Sequence, residues 1–140
     1  KNGLNIPIMA VETENAPTLN RAIEADKVAY LKEVNTIATT LACSYISLKS
    51  LENSRSHSTH LVLITDSNTM EGVIKFVEDH NVVTEPACGA SIFAANNRKL
   101  LEKAFGKLNK DDIVIVIACG GSATSVEDVI QYRSVIDGEK

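Results

Sequence analysis

Ile113-Val114-Ile115-Val116-Ile117-Ala118-Cys119-Gly120-Gly121-Ser122 decides the fold class. Its first six residues are the strongest strand signal in the chain, since β-branched side chains fit a pleated sheet surface. Gly120-Gly121 breaks the run, and Ser122 or Thr124 starts a helix carried by Val126, Val129 and Ile130. Strand, glycine turn, helix is the building unit of α/β domains, and the rest of the chain repeats the alternation.

Upstream, Leu61-Val62-Leu63-Ile64 is a second apolar run, as expected of a strand covered on both faces. Thr65 or Asp66 caps a helix whose apolar residues Met70, Val73, Ile74 and Val77 recur at i, i+3, i+4, i+7. Residues 81–84 read as a brief extended run, and residues 90–105 as one longer helix ended by Gly106. Toward the start, residues 6–11 lean to a strand, with Pro7 at its beginning or edge. Helices are expected at 19–29 and about 44–53, followed by a polar surface loop over 53–60. Strands separated by helices imply parallel pairing with right-handed crossovers.

Composition narrows the function classes. Of 140 residues, 44% are hydrophobic and 23% charged, enough for one domain with its own core. Fourteen Lys and Arg against 18 Asp and Glu give a net charge of −4, with no basic stripe for a nucleic-acid backbone. No apolar run approaches the roughly 20 residues of a membrane span, so neither nucleic acid nor membrane is an expected partner. Cys43, Cys88 and Cys119 are odd in number and lack metal-ligand spacing, which fits a reducing compartment. The chain begins at Lys1 without a methionine, the mark of a piece of something longer.

Two turns carry candidate chemistry. Open α/β sheets bind ligands beyond the carboxyl ends of their strands, which is where Cys119-Gly120-Gly121-Ser122 falls. The glycines let a ligand approach the backbone, and the following helix N-terminus offers free N–H groups. The same residues also suit a plain strand–helix connection, with Cys119 a small hydrophobe. Glu85-Pro86-Ala87-Cys88-Gly89-Ala90 is the second: Pro86 holds Glu85 extended, and Gly89 allows a tight turn. It too reads as a helix start, with Glu85 near the positive dipole end. Cys88 has no histidine near it in sequence to activate a thiol.

Together these segments resemble the serine and threonine dehydratases. The resemblance rests on Val83-Thr84-Glu85-Pro86-Ala87-Cys88-Gly89-Ala90 and Ile117-Ala118-Cys119-Gly120-Gly121-Ser122. Two further matches are Ile6-Pro7-Ile8-Met9-Ala10-Val11-Glu12-Thr13 followed by Ala16, and Ile37-Ala38-Thr39-Thr40-Leu41. It runs from about residue 6 to 134 and is nearest to the eukaryotic serine dehydratases that lack a regulatory C-terminal domain. These are pyridoxal-phosphate enzymes of fold type II, the tryptophan-synthase-β-like fold. The implied fold is α/β, mostly parallel strands flanked by helices, with residues 1–140 forming the C-terminal part of the cofactor-binding large domain.

The resemblance also implies roles. Cys119 would face the pyridine nitrogen of pyridoxal phosphate, with Gly120 and Gly121 letting the ring edge approach the backbone. A thiol, with an ordinary pKa of about 8.5, does not hold that nitrogen protonated as a carboxylate would. This moderates the electron sink and suits β-elimination over transamination. Glu12, Ala16, Leu41 and Cys43 match positions around a monovalent cation, potassium being the candidate, through the Glu12 carboxylate and three main-chain carbonyls. Thr40 and Ala42 depart from the Ala and Gly of relatives, so Ala42 would carry strain if positive φ were needed there.

The sequence contains no Ser-Phe-Lys with the Schiff-base lysine, no Gly-rich phosphate loop and no ring-steadying Asn. Ser47-Leu48-Lys49 resembles the lysine motif only superficially. The resemblance therefore places those parts upstream of Lys1 and leaves no catalytic residue in this chain. Two classes stay open: part of an L-serine or L-threonine ammonia-lyase, or a truncated, inactive dehydratase-like protein. A β-replacement enzyme of the same fold type is a third reading, against which Cys119 argues. A homodimer in the cytoplasm is implied for the complete protein, with mitochondria as the alternative location.

Overall fold

The computed structural model describes residues 4–139. Strand β1 (Ile8–Thr13) pairs in parallel with β2 (Thr59–Ile64), from Ile8 opposite Thr59 to Thr13 opposite Ile64. The crossover between them holds α1 (Thr18–Glu24) and α2 (Leu48–Ser56). After β2 come α3 (Asp66–His80), α4 (Pro86–Asn96), α5 (Arg98–Phe105) and α6 (Val126–Gly138). Helix α3 packs mainly on α4 and also on α6, while α4 touches β1. The α/β class and parallel pairing agree with the sequence.

Several boundaries move for identifiable reasons. Helix α1 ends at Glu24 because Asp26 takes a left-handed conformation at φ 55°. The Lys27 amide then donates to the Ala22 carbonyl at 3.1 Å and that of Asp26 to Ile23 at 3.2 Å, a Schellman ending. The polar stretch 53–60 is not one loop. Ser47 caps α2 by accepting from the Ser50 amide at 3.0 Å, buried Leu51 anchors the helix, and it runs on to Ser56. Pairing with β1 then recruits Thr59 and His60 into β2, leaving only His57 and Ser58 outside elements.

Thr65 is the cap of α3, in a reciprocal box with Asn68. Asn81 ends the helix at φ 55°, so residues 81–84 form no strand. The single helix expected over 90–105 is two. Asn97 leaves helical geometry (φ −99°, ψ 93°) and its side chain accepts from the Leu100 amide at 3.2 Å, starting α5. Asparagine competes with the helix in this way by bonding its own neighbourhood. Gly106 at φ 82° closes α5, as expected. The last helix is capped by Ser125 rather than Ser122 or Thr124.

The largest departure is the run that decided the fold class. Residues 113–117 carry no ladder hydrogen bonds. Ile113, Ile115 and Ile117 are 88%, 75% and 69% exposed, against 44% and 37% for Val114 and Val116. The exposure alternates along the run, Val114 and Val116 being less exposed than the isoleucines, although all five residues are exposed. What is lacking among the described residues is a neighbouring strand. Leu63 in β2 is likewise exposed, so this strand is not covered on both faces.

Helices α3 and α4 cross at glycine. A methyl built on Gly72 would lie 2.0 Å from the Gly89 carbonyl oxygen, and one on Gly89 would lie 2.2 Å from that of Thr69. Gly89 is therefore a helix-contact residue inside α4, not a turn residue. Only hydrogen at both positions permits the crossing. The crossing fixes α4, and with it the segment that carries Glu85 and Cys88.

Candidate functional site

The two turns singled out in the sequence meet in space. The Glu85 amide donates to the Gly120 carbonyl at 3.3 Å, and the Thr84 hydroxyl donates to the same oxygen at 2.7 Å. Pro86 sits at the first position of α4, where its missing N–H costs nothing. This leaves Cys88 in the first turn, buried, with its Sγ 4.0 Å from that of exposed Cys119. The Cys119 amide donates to Cys88 Sγ at 3.2 Å.

Both glycines lie at close approaches in this meeting, Gly121 to backbone and Gly120 to the end of a side chain. A methyl on Gly120 would come within 2.6 Å of Glu85 Oε1, and one on Gly121 within 2.4 Å of the Val83 carbonyl oxygen. The Glu85 side chain does not cap α4. Instead it accepts the Thr40 hydroxyl at 3.0 Å, tying the 38–43 loop to the glycine turn. Thr84 and this Thr40–Glu85 link had no assigned role in the sequence. Thr84 stands inside a quoted motif, but nothing in its neighbours signals a bond to residue 120.

The two thiols are perturbed in opposite directions. Burial opposes ionisation of Cys88, yet hydrogen bonding with Thr84, with the Cys119 amide, with the Gly120 backbone and with the Cys119 thiol together holds it below the usual thiol value. Cys119 is pushed up, first by its hydrogen bond and charge interaction with Cys88, then by desolvation and by Glu85. Cys119 therefore keeps its proton near neutral pH.

Of the four residues expected around a cation, Glu12, Ala16 and Cys43 meet at the start of α1. Glu12 accepts the Leu19 and Asn20 amides at 2.6 and 3.0 Å, one on each carboxylate oxygen. The Thr18 hydroxyl lies 2.5 Å from the Cys43 carbonyl oxygen and 3.5 Å from that of Ala16, so these two carbonyls converge. Leu41 is held separately, its amide donating to Ala38 at 3.0 Å. Ala42 carries no strain, since Asp26 and Asn81 are the positive-φ residues other than glycine among those described.

Other nucleophile readings find no support. His57 lies 2.6 Å from the Ile6 carbonyl oxygen, while His60 and His80 rest against Phe105 and Phe76. Lys49 is exposed on α2 and paired with Glu52 at 3.1 Å. No helix among the described residues is long and apolar enough to cross a membrane.

A glycine turn after an extended apolar run thus closes onto a helix start and presents an exposed thiol within an α/β fold. Residues 1–120 match the family described as pyridoxal-phosphate dependent enzyme, and the chain belongs to that family. It is 40% identical over 125 residues to the catabolic L-serine/threonine dehydratase of Saccharomyces cerevisiae, covering 89% of this chain and 35% of that protein. It is 33% identical to a truncated L-serine dehydratase of the same yeast, over 94% of this chain and 63% of that one. Among solved structures, the L-serine ammonia-lyase from Rhizomucor miehei superposes with a TM-score of 0.87 at 28% identity, covering 93% of this chain and 41% of that one. Maize serine racemase shares the fold, with a TM-score of 0.72 at 19% identity over 93% of this chain and 40% of that one.

If the resemblance sets this turn at the pyridine side of the cofactor, the turn has the exposed S–H donor such a position would use. Cys119 offers a neutral S–H in an exposed position. In the same turn, Thr124 Oγ1 is buried without a hydrogen-bond partner among the described residues.

Proposed function

We propose that this chain is the C-terminal part of a pyridoxal-phosphate-dependent L-serine or L-threonine ammonia-lyase. The complete enzyme eliminates the β-hydroxyl, giving pyruvate or 2-oxobutyrate and ammonia. The observation that carries this reading is the junction of Thr84, Glu85 and Cys88 with Gly120 and Cys119. When bound, pyridoxal phosphate would supply an electron sink for the Cα carbanion. Cys119 would meet the ring nitrogen with a neutral donor, keeping that sink moderate. Gly120 and Gly121 hold the turn against residues 83–85 so that Cys119 stays at the surface. Through the converging carbonyls of Ala16 and Cys43, with Glu12 and Leu41, the chain would hold potassium and stiffen the 38–43 loop.

The chain alone has no Schiff-base lysine motif, and we assign it no turnover by itself. Its match to a truncated dehydratase favours a second reading, a non-catalytic product of the same family. One experiment separates them. The chain is combined with a polypeptide carrying the lysine and phosphate loop, and cofactor absorbance and ammonia release are followed. Recovery of both supports the enzyme reading; absence of both despite association supports the second. Exchange of β-substituents without ammonia would instead assign a β-replacement enzyme. For the complete enzyme the family reading implies a cytoplasmic homodimer.

A further inference from the structure

Cys88 and Cys119 are 31 residues apart in sequence, yet their sulfur atoms lie 4.0 Å apart, one thiol buried and the other exposed. We propose that they are a reversible dithiol–disulfide pair, with Cys119 the entry thiol for a low-molecular-weight disulfide and Cys88 the resolving thiol.

The geometry supports each half. A disulfide needs its sulfurs about 2.0 Å apart, so closure requires a movement of about 2 Å. Residues 117–122 lie outside any helix or strand, and Cys119 is exposed, so the movement falls on the side able to make it. Cys88 is fixed by α4, whose crossing with α3 tolerates no added atom. Buried Cys88 is screened from a disulfide in solution, whereas Cys119 is open to one. Cys88 also has what a resolving thiol needs: it sits in the first turn of a helix and accepts the Cys119 amide at 3.2 Å, which favours its thiolate.

The step balances with oxidised glutathione as oxidant. Cys119 reacts through the small thiolate fraction in exchange with its protonated form: its proton passes to solvent, its sulfur attacks one glutathione sulfur to form a mixed disulfide, and the other glutathione leaves as thiolate and takes up a proton. The Cys88 thiolate then attacks Cys119 Sγ, and the second glutathione leaves as thiolate. Overall two cysteine thiols are oxidised, one glutathione disulfide is reduced to two thiols, and each proton lost from cysteine ends on a glutathione. The oxidised pair has no S–H left on Cys119, so the donor assigned above to the ring nitrogen disappears. That consequence rests on the cofactor reading; the pairing itself does not.

The test uses the full chain with Cys43→Ser, which removes the third thiol, and reads chemistry rather than turnover. The chain is incubated with oxidised glutathione under native conditions and in denaturant, alkylated and mapped by mass spectrometry. The expected result is a Cys88–Cys119 cross-link that is reversed by dithiothreitol and forms at least tenfold faster under native conditions than in denaturant. Adding Cys88→Ser should leave the glutathione adduct on Cys119 unresolved, and adding Cys119→Ser should leave Cys88 unmodified while folded. The proposal fails if the adduct on Cys119 persists with Cys88 free, or if denaturant makes no difference to the rate. Its assignment of the entry thiol fails if Cys88 is modified as fast without Cys119 as with it.

Discussion

Gly120 and Gly121 look equivalent in sequence, but their surroundings differ in a way that predicts different penalties. A methyl at 120 meets the end of the Glu85 side chain, which can rotate away at the expense of its bond from Thr40. A methyl at 121 meets the Val83 carbonyl, which is backbone and cannot. Gly121→Ala should therefore destabilise by about 1–3 kcal/mol, the usual range for overpacking, and Gly120→Ala by less, as read from urea unfolding midpoints. Cys119 belongs to the same turn. In the complete enzyme, Cys119→Asp should hold the ring nitrogen protonated and raise side transamination relative to ammonia release, measured as the product ratio. An unchanged ratio would remove Cys119 from the chemistry. The sequence made these residue types and their order legible. It could not show that Glu85 faces residue 120 rather than capping its own helix, because that choice is made by a tertiary neighbour, Thr40.

Among the elements, the α3–α4 crossing sets position and the caps set length. Alanine favours a helix over glycine by about 1 kcal/mol, so Gly72→Ala and Gly89→Ala would stabilise either helix in isolation. In the folded chain the added carbon falls 2.0 or 2.2 Å from a backbone oxygen, and overpacking wins. Each variant should lose about 1–3 kcal/mol, and the pair should be non-additive because both strain one contact. Helix α6 gives a pH signature. Asp128 accepts the Ser125 amide at 2.7 Å and its hydroxyl at 2.8 Å, and these bonds lower its pKa. A lowered carboxylate pKa stabilises the fold above the ordinary carboxylate range and loses that contribution as pH falls through the folded value. Asp128→Asn should therefore flatten the acid limb of stability against pH, followed by circular dichroism. Apolar periodicity and the Thr65 cap were legible in the sequence. The Asn97 break and the contact role of Gly89 were not, since both residue types serve turns and helices alike.

For the whole molecule, residues 113–117 join what was read to what was found. Five β-branched residues favour a pleated, half-buried surface, yet here they are exposed and pair with no strand among the described residues. Pairing is a separate requirement, because a ladder needs a second segment. The chain spans 35% of the yeast dehydratase and 41% of the Rhizomucor ammonia-lyase, and the enzyme reading assigns the bare face of Ile113, Ile115 and Ile117 to the rest of such a protein. That assignment predicts a split between two neighbouring substitutions. In the chain alone, Ile115→Lys replaces an exposed side chain and should change stability by no more than about 0.5 kcal/mol, while raising solubility by breaking an apolar edge. Val116→Lys places its charge on the less exposed side of the run and should lower the unfolding midpoint more than Ile115→Lys does. Combined with the lysine-bearing polypeptide, the order reverses in kind. Ile115→Lys, harmless to the isolated chain, should abolish association and ammonia release, because its ammonium would then be buried without a partner. If Ile115→Lys associates and turns over as the unsubstituted chain does, the face is solvent-exposed in the complete protein, and the missing strand neighbours lie elsewhere.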